Sequence, residues 1–87
     1  MKITVIGGGS TYTPELVNGF LARVASLPLT ELCLMDIDEE RLKIVGSFAQ
    51  RMVNAKGNPF KVTLTLDQQE AVAGSSYIIT QLRVGMM

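Results

Sequence analysis

Three consecutive glycines near the start of the chain, with two hydroxyl residues after them, could bind a phosphate group. The glycines begin at Gly7 after a short apolar run, and Ser10 and Thr11 follow them. Glycines in this position let the backbone approach a pyrophosphate, and amides at the start of a following helix supply hydrogen-bond donors. Gly7 and Gly9 match the first two glycines of the GxGxxG dinucleotide-binding pattern, whereas Tyr12 occupies the third position. We interpret the stretch as a pyrophosphate-binding loop, and the alternative is a tight turn that binds nothing.

Asp36 is the second candidate for binding chemistry, because it closes a later apolar run. In a dinucleotide site, a carboxylate in this position accepts hydrogen bonds from the adenosine ribose and repels a 2′-phosphate, which favours NAD over NADP. Asp36 lies 27 residues after Gly9, a longer separation than the usual value of about 20. The alternative is a turn residue or a helix cap, but Asp38 is better placed to cap the next helix and leaves Asp36 available for ribose.

Arg83 is a candidate for binding a substrate. It follows the last apolar run, Tyr77–Leu82, and ligands of doubly wound α/β proteins bind beyond the carboxyl ends of the strands. The alternative is a surface arginine with no ligand.

Composition excludes several classes of site. The 87-residue chain has no histidine and a single cysteine, Cys33, so it forms neither a Ser/His/Asp triad nor a Cys-x-x-Cys zinc site. Cys33 lies in an apolar run and is expected to be an inert core thiol. Lys and Arg number 8, as do Asp and Glu, which excludes a strongly basic nucleic-acid binder. The apolar runs are too short for a membrane span or a signal peptide, so we expect a reduced, cytoplasmic setting.

Four apolar runs alternate with three helical patterns and would bring the candidate residues to one edge of a sheet. We predict strands at Lys2–Ile6, Glu31–Asp36, Phe60–Leu66 and Tyr77–Leu82. This order predicts an α/β fold, half of a doubly wound Rossmann-like parallel sheet, with strand order 3-2-1-4. The third strand alternates apolar and polar residues, as an edge strand does. Residues 1–87 would then be part of one NAD-binding domain.

The helices also have sequence signals at their ends. Thr13 is predicted to cap the first helix, which starts late because Tyr12 replaces the third glycine, and Leu27-Pro28 is predicted to end it. Asp38 is predicted to cap the second helix, and Asp67–Ala73 to form a short helical turn. The inward stripe of the second helix is predicted to consist of Leu42, Val45, Phe48, Ala49, Met52 and Val53.

Several of these stretches together resemble the amino terminus of glycoside hydrolase family 4. The similarity lies in Lys2–Val17, which contains GGGSTYTPEL, in Glu31–Asp38 and in Thr80–Gly85. GGGSTYTPEL, the Leu27-Pro28 pair and the QLRVG sequence are most similar to the 6-phospho-β-glucosidase branch of that family. The resemblance extends over all 87 residues.

The resemblance implies part of an enzyme that hydrolyses phosphorylated β-glucosides with NAD and a divalent metal ion, Mn²⁺. Such enzymes oxidise the sugar at C3, abstract the C2 proton, eliminate the aglycone, add water and reduce the product, unlike glycosidases with two carboxylates. It also implies that the complete enzyme is a homo-oligomer that binds a phosphorylated disaccharide, with no nucleic-acid or membrane partner.

Two departures from the family pattern limit what these residues can do. Family members continue for several hundred residues, and their metal-binding Cys and His and their tyrosine base lie in that further part. Neither Cys33 nor Tyr12 corresponds to them. The family commonly continues QLRVGG, but Met86 and Met87 follow Gly85 here. We therefore predict no catalytic residue and no metal ligand, and we expect the chain to be an amino-terminal fragment that binds NAD but is inactive alone.

The residues alone leave other functions open. A malate-type dehydrogenase would share the same half-fold, and an S-adenosylmethionine methyltransferase also has glycines after the first strand and an acid after the second. A remnant that binds no ligand is the remaining alternative. Binding of NAD but not of S-adenosylmethionine would distinguish among them.

Overall fold

Residues 1–81 are described by the computed structural model, and they form one four-stranded parallel sheet with helices. The strands are β1 (Lys2–Ile6), β2 (Glu31–Met35), β3 (Lys61–Thr65) and β4 (Tyr77–Thr80), and the helices are α1 (Thr13–Ala22), α2 (Glu39–Ala55) and α3 (Gln68–Val72). The strands lie in the order β3-β2-β1-β4, and every pair is parallel. The fold class and strand order predicted from the sequence are confirmed.

Side chains of the two central strands alternate between two buried layers. Val5, Leu32 and Leu34 pack with residues of α1 and α2 on one face. Cys33 and Met35 pack with a residue of α3 on the other face. Helices therefore cover both faces, as is usual for parallel strands joined by helical crossovers. This explains why successive residues of β2 are apolar, and it confirms that Cys33 is a buried core residue.

The two edges of the sheet differ in their polarity. At β3, the exposed Lys61 Nζ lies 3.9 Å from Glu31 Oε1, and Gln50 Nε2 donates to the Val62 carbonyl at 3.1 Å. At β4, the side chains of Tyr77 and Ile78 are 63% and 52% exposed. Within residues 1–81, β4 pairs with β1 alone. β3 is thus the polar edge strand that its alternating sequence predicts, whereas β4 presents apolar side chains.

The start of α2 follows the prediction from sequence, but the start of α1 does not. Asp38 caps α2, because its Oδ1 accepts from Arg41 N at 3.1 Å. In α1 the capping position is held by Tyr12, which makes no side-chain capping bond, and Thr13 lies buried in the first turn. The prediction that Thr13 caps α1 is therefore wrong, because its hydroxyl is used in a contact of the preceding loop. The helix also ends earlier than predicted, at Ala22.

The buried face of α2 is narrower than the sequence predicts. Its buried positions repeat at helical spacing and include Leu42 and Gly46, whereas Phe48 is 47% exposed. Each residue advances about 100° around a helix, so Phe48 points roughly 120° away from Leu42. Gly46 takes the inward position, and a Cβ there would meet the Leu64 side chain at 2.5 Å. No helix formed by residues 1–81 has the length and apolar character needed to cross a membrane.

Candidate functional site

The candidate loop and Asp36 lie side by side at the carboxyl edge of the sheet. β1 and β2 are neighbours, with Ile6 opposite Met35, so the residues that follow the two strands leave the sheet together. We call Gly7–Tyr12 the glycine loop; it connects β1 to α1. Ligands of doubly wound folds bind at this edge.

Contacts within the protein account for each glycine of the loop. Gly7 has a φ of +86°, a left-handed conformation that favours glycine. A Cβ on Gly8 would lie 2.7 Å from Leu34 Cβ, and one on Gly9 would lie 2.8 Å from Asp36 Oδ2. The glycines thus hold the loop close to β2 and Asp36, and by themselves they do not decide between a phosphate-binding loop and a tight turn.

Most polar groups of the glycine loop are engaged within the loop or with β2. Gly7 N donates to the Met35 carbonyl at 2.8 Å, and Ser10 N donates to Gly7 O at 3.0 Å. The buried Ser10 hydroxyl accepts from Tyr12 N at 3.2 Å. Thr11 is exposed, and its amide and hydroxyl make no hydrogen bond to the residues that the structure describes. Thr11 therefore offers an accessible amide and an accessible hydroxyl, while Ser10 shapes the loop.

Asp36 ties the glycine loop to the start of α2. Its side chain is only 4% exposed; Oδ2 accepts from Gly9 N at 2.9 Å, and Oδ1 accepts from Asp38 N at 3.0 Å. Asp38 caps α2 as predicted, but the Asp36 carboxylate is engaged rather than left available. A carboxylate oxygen can accept more than one hydrogen bond, so ribose hydroxyls could add to these two amides without replacing them.

Two further side chains form hydrogen bonds on the other side of the glycine loop. The sequence did not predict these contacts. Thr13 Oγ1 donates to the Gly8 carbonyl at 2.9 Å, and Gln81 Nε2 donates to Thr13 Oγ1 at 3.1 Å. Gln81 N also donates to Ile6 O at 2.9 Å. Gln81 directly follows β4 and so lies at the same edge of the sheet, and this position is the sequence signal that could have indicated its contact with the loop. Arg83, the predicted substrate-binding residue, lies outside the described residues.

Arg41 and Ile37 also border the site without having been predicted to do so. Arg41 Nε donates to the Gly9 carbonyl at 3.4 Å, and a Cβ on Gly9 would lie 3.2 Å from Arg41 Cβ. Ile37 directly follows Asp36 and is 86% exposed. Arg41 lies three residues after the Asp38 cap, so the sequence could have placed it in the first turn of α2. No sequence signal indicates that its side chain contacts the Gly9 carbonyl.

The residues gathered at this edge suit the adenosine half of a dinucleotide. Thr11 can donate to a phosphate and Asp36 can accept from ribose, and Ile37, the residue after Asp36, has an exposed apolar side chain. Groups of three or more His, Cys, Asp or Glu side chains that could hold a metal ion do not occur within residues 1–81.

Comparison with known proteins relates the chain to one enzyme family. The family model described as Family 4 glycosyl hydrolase matches residues 2–87. A probable 6-phospho-β-glucosidase of Bacillus subtilis strain 168 is 51% identical over 89 residues, which cover 100% of this chain and 20% of that protein. The chain therefore spans about one fifth of the length of the curated relatives it matches.

Solved structures extend this similarity to the fold. The 6-phospho-β-glucosidase of Thermotoga maritima, solved with manganese, NAD⁺ and glucose-6-phosphate, matches with a TM-score of 0.89 at 44% identity, over 95% of this chain and 20% of that chain. A 6-phospho-α-glucosidase from gut microorganisms, solved with NAD and Mn²⁺, matches with a TM-score of 0.89 at 32% identity, over 98% of this chain and 19% of that chain. The family resemblance inferred from the sequence is confirmed.

Proposed function

The chain belongs to family 4 of the glycosyl hydrolases, and we propose that it supplies the NAD-binding amino-terminal part of a 6-phospho-β-glucosidase. The β-glucosidase assignment draws on the 51% identity to the Bacillus subtilis relative, against 34% for the 6-phospho-α-glucosidase 1 of Lacticaseibacillus paracasei. In this proposal the domain extends over residues 1–87 and continues in a part of the protein that holds the metal ion and the sugar.

One observation carries the proposal: the glycine loop and Asp36 are joined by a hydrogen bond at the carboxyl edge of the sheet. The Gly9 N–Asp36 Oδ2 hydrogen bond of 2.9 Å joins the two elements, and the accessible donors of Thr11 stand beside them. A pyrophosphate at Thr11 would place an adenosine ribose within reach of Asp36, in the order that a dinucleotide requires.

Each predicted site residue has a separate role in this proposal. Gly7 and Gly9 let the loop lie close to the sheet, Ser10 holds its shape, Thr11 donates to the pyrophosphate, and Asp36 accepts from the ribose hydroxyls. Bound NAD supplies a hydride acceptor for oxidation of the sugar. The chain's own residues bind and orient the adenosine half, and the proton transfers belong to residues outside this chain.

The substrate class and setting follow from the relatives. We assign a phosphorylated disaccharide as substrate of the complete enzyme, with Arg83 as a contact to it, because relatives are named for 6-phosphoglucosides and one is solved with glucose-6-phosphate. Sugar phosphates carry negative charge and do not cross a membrane unaided, so the proposed location is the cytoplasm. The proposed assembly is a homo-oligomer without nucleic-acid or membrane partners.

Calorimetric titration of the 87-residue chain with NAD and with S-adenosylmethionine tests the proposal. We expect weak but saturable binding of NAD and no heat of binding with S-adenosylmethionine. Asp36→Asn should weaken NAD binding, since a neutral amide replaces a charge-assisted acceptor whose hydrogen bonds are worth roughly 1.5–3 kcal/mol each. Saturable binding of S-adenosylmethionine, or no binding of either nucleotide by folded protein, would contradict the assignment.

A further inference from the structure

Arg41 lies across the glycine loop on the side of Asp36. Its Nε donates to the Gly9 carbonyl at 3.4 Å, and its Cβ lies 3.2 Å from the point where a Cβ of Gly9 would stand. The terminal nitrogens, Nη1 and Nη2, make no hydrogen bond or ion pair with the residues that the structure describes. The guanidinium group is therefore anchored by one nitrogen and has two others to offer to a ligand.

We propose that Arg41 binds a phosphate on the 2′-hydroxyl of the adenosine ribose, so that the site accepts NADP as well as NAD. The proposal rests on the proposed function, because it takes the dinucleotide to lie along the glycine loop. Arginine pairs with phosphate through two parallel N–H donors, and an arginine beside the ribose is the usual means by which dinucleotide-binding folds accommodate a 2′-phosphate.

The state of Asp36 favours this inference. An aspartate at the end of the second strand normally rejects a 2′-phosphate by presenting its charge to the ribose. Here the carboxylate is 4% exposed, and its two oxygens accept from Gly9 N and Asp38 N. The carboxylate keeps its negative charge, but both of its oxygens already accept backbone N–H groups. Arg41 brings a positive charge to the same loop residue, because its Nε donates to the Gly9 carbonyl.

Other charges near the start of α2 limit the effect. Glu39 and Glu40 lie in the first turn with Arg41. Both are exposed, and Glu39 lines a cleft beside Leu64 and Asp67, which places it toward β3. Both oppose a phosphate, so we expect comparable affinities for the two cofactors rather than a preference for NADP.

Calorimetric titration with NAD, NADP, 5′-AMP and adenosine 2′,5′-bisphosphate tests the role of Arg41. The parent chain should bind NADP with a Kd within about tenfold of that for NAD. Arg41→Met should weaken NADP and the bisphosphate about fivefold or more, the scale of a well-formed arginine–phosphate pair, and should change NAD and 5′-AMP less than about twofold. Arg41→Lys should retain part of the NADP affinity, because it keeps the charge but loses the paired geometry.

Lys43→Met is the matched control, because it removes an exposed cation from the same helix turn but lines the cleft on the β3 side. It should leave the ratio of NADP to NAD affinity unchanged. An equal loss of NAD and NADP in Arg41→Met, or no measurable NADP binding by a parent chain that binds NAD, would overturn the inference while the proposed function stands. Failure of folded parent chain to bind NAD would overturn both.

Discussion

Replacing Asp36 by alanine should destabilise the folded chain much more than replacing Asp38, although both are aspartates near the start of α2. Asp36→Ala removes the acceptor of the buried Gly9 N–H and of the partly buried Asp38 N–H. A buried donor left without a partner costs about 1–3 kcal/mol, so the two amides together predict a loss of roughly 2–5 kcal/mol. Asp38→Ala removes a capping bond to Arg41 N at a more exposed position, which typically costs about 1 kcal/mol.

Urea unfolding followed by circular dichroism measures both losses, provided that the slope of the transition is the same for each variant. Asp36→Asn is a useful third protein, since its carbonyl oxygen replaces one acceptor while its NH₂ group faces the other amide; its loss should fall between those of the two alanine variants. A free energy of unfolding for Asp36→Ala equal to or above that of Asp38→Ala would refute the view that Asp36 joins the loop to α2.

Three other outcomes follow from the structure. Gly9→Ala should lower the free energy of unfolding as well as NAD affinity, because the new Cβ would stand 2.8 Å from Asp36 Oδ2; a normal urea transition with lost NAD binding would show that only the ligand needs Gly9. The 87-residue chain should not hydrolyse a chromogenic 6-phospho-β-glucoside with NAD, Mn²⁺ and a reductant, and turnover by the purified chain would contradict this. The chain should self-associate through β4, because Tyr77 and Ile78 are exposed there and no strand within residues 1–81 pairs with its outer edge. Sedimentation as one monomeric species across a concentration series would contradict this.

Much of the fold can be predicted from the sequence because its main signals are local. The continuous apolar run of β2 and the alternation of β3 distinguish a central strand from an edge strand, and the connection rules then fix the strand order. Asp38 marks the start of α2 correctly, since a capping carboxylate acts on the backbone amides of its own neighbours. The prediction that Phe48 faces inward is wrong, because its position around the helix lies outside the buried face although the residue is hydrophobic.

The candidate site was less accessible from the sequence, because its contacts join distant residues. Asp36 was predicted as a ribose acceptor, but its bonds to the Gly9 and Asp38 amides depend on how two strands end side by side. Threonine is a residue type that often caps helices, but the Thr13 hydroxyl donates to the nearby Gly8 carbonyl instead. The side-chain paths of such residues are set by packing, which leaves no pattern in the sequence.

The hydrogen bond from Gln81 to Thr13 has a consequence for the order in which the molecule assembles. The two residues are 68 positions apart, so the bond can form only once the chain through β4 has been made, and contacts of such long range slow folding. During synthesis, the first eighty residues are made before Gln81 can form its hydrogen bond to Thr13 beside the glycine loop. Hydrogen exchange should therefore show the loop closing together with β4, late in folding, even though its own sequence is made first.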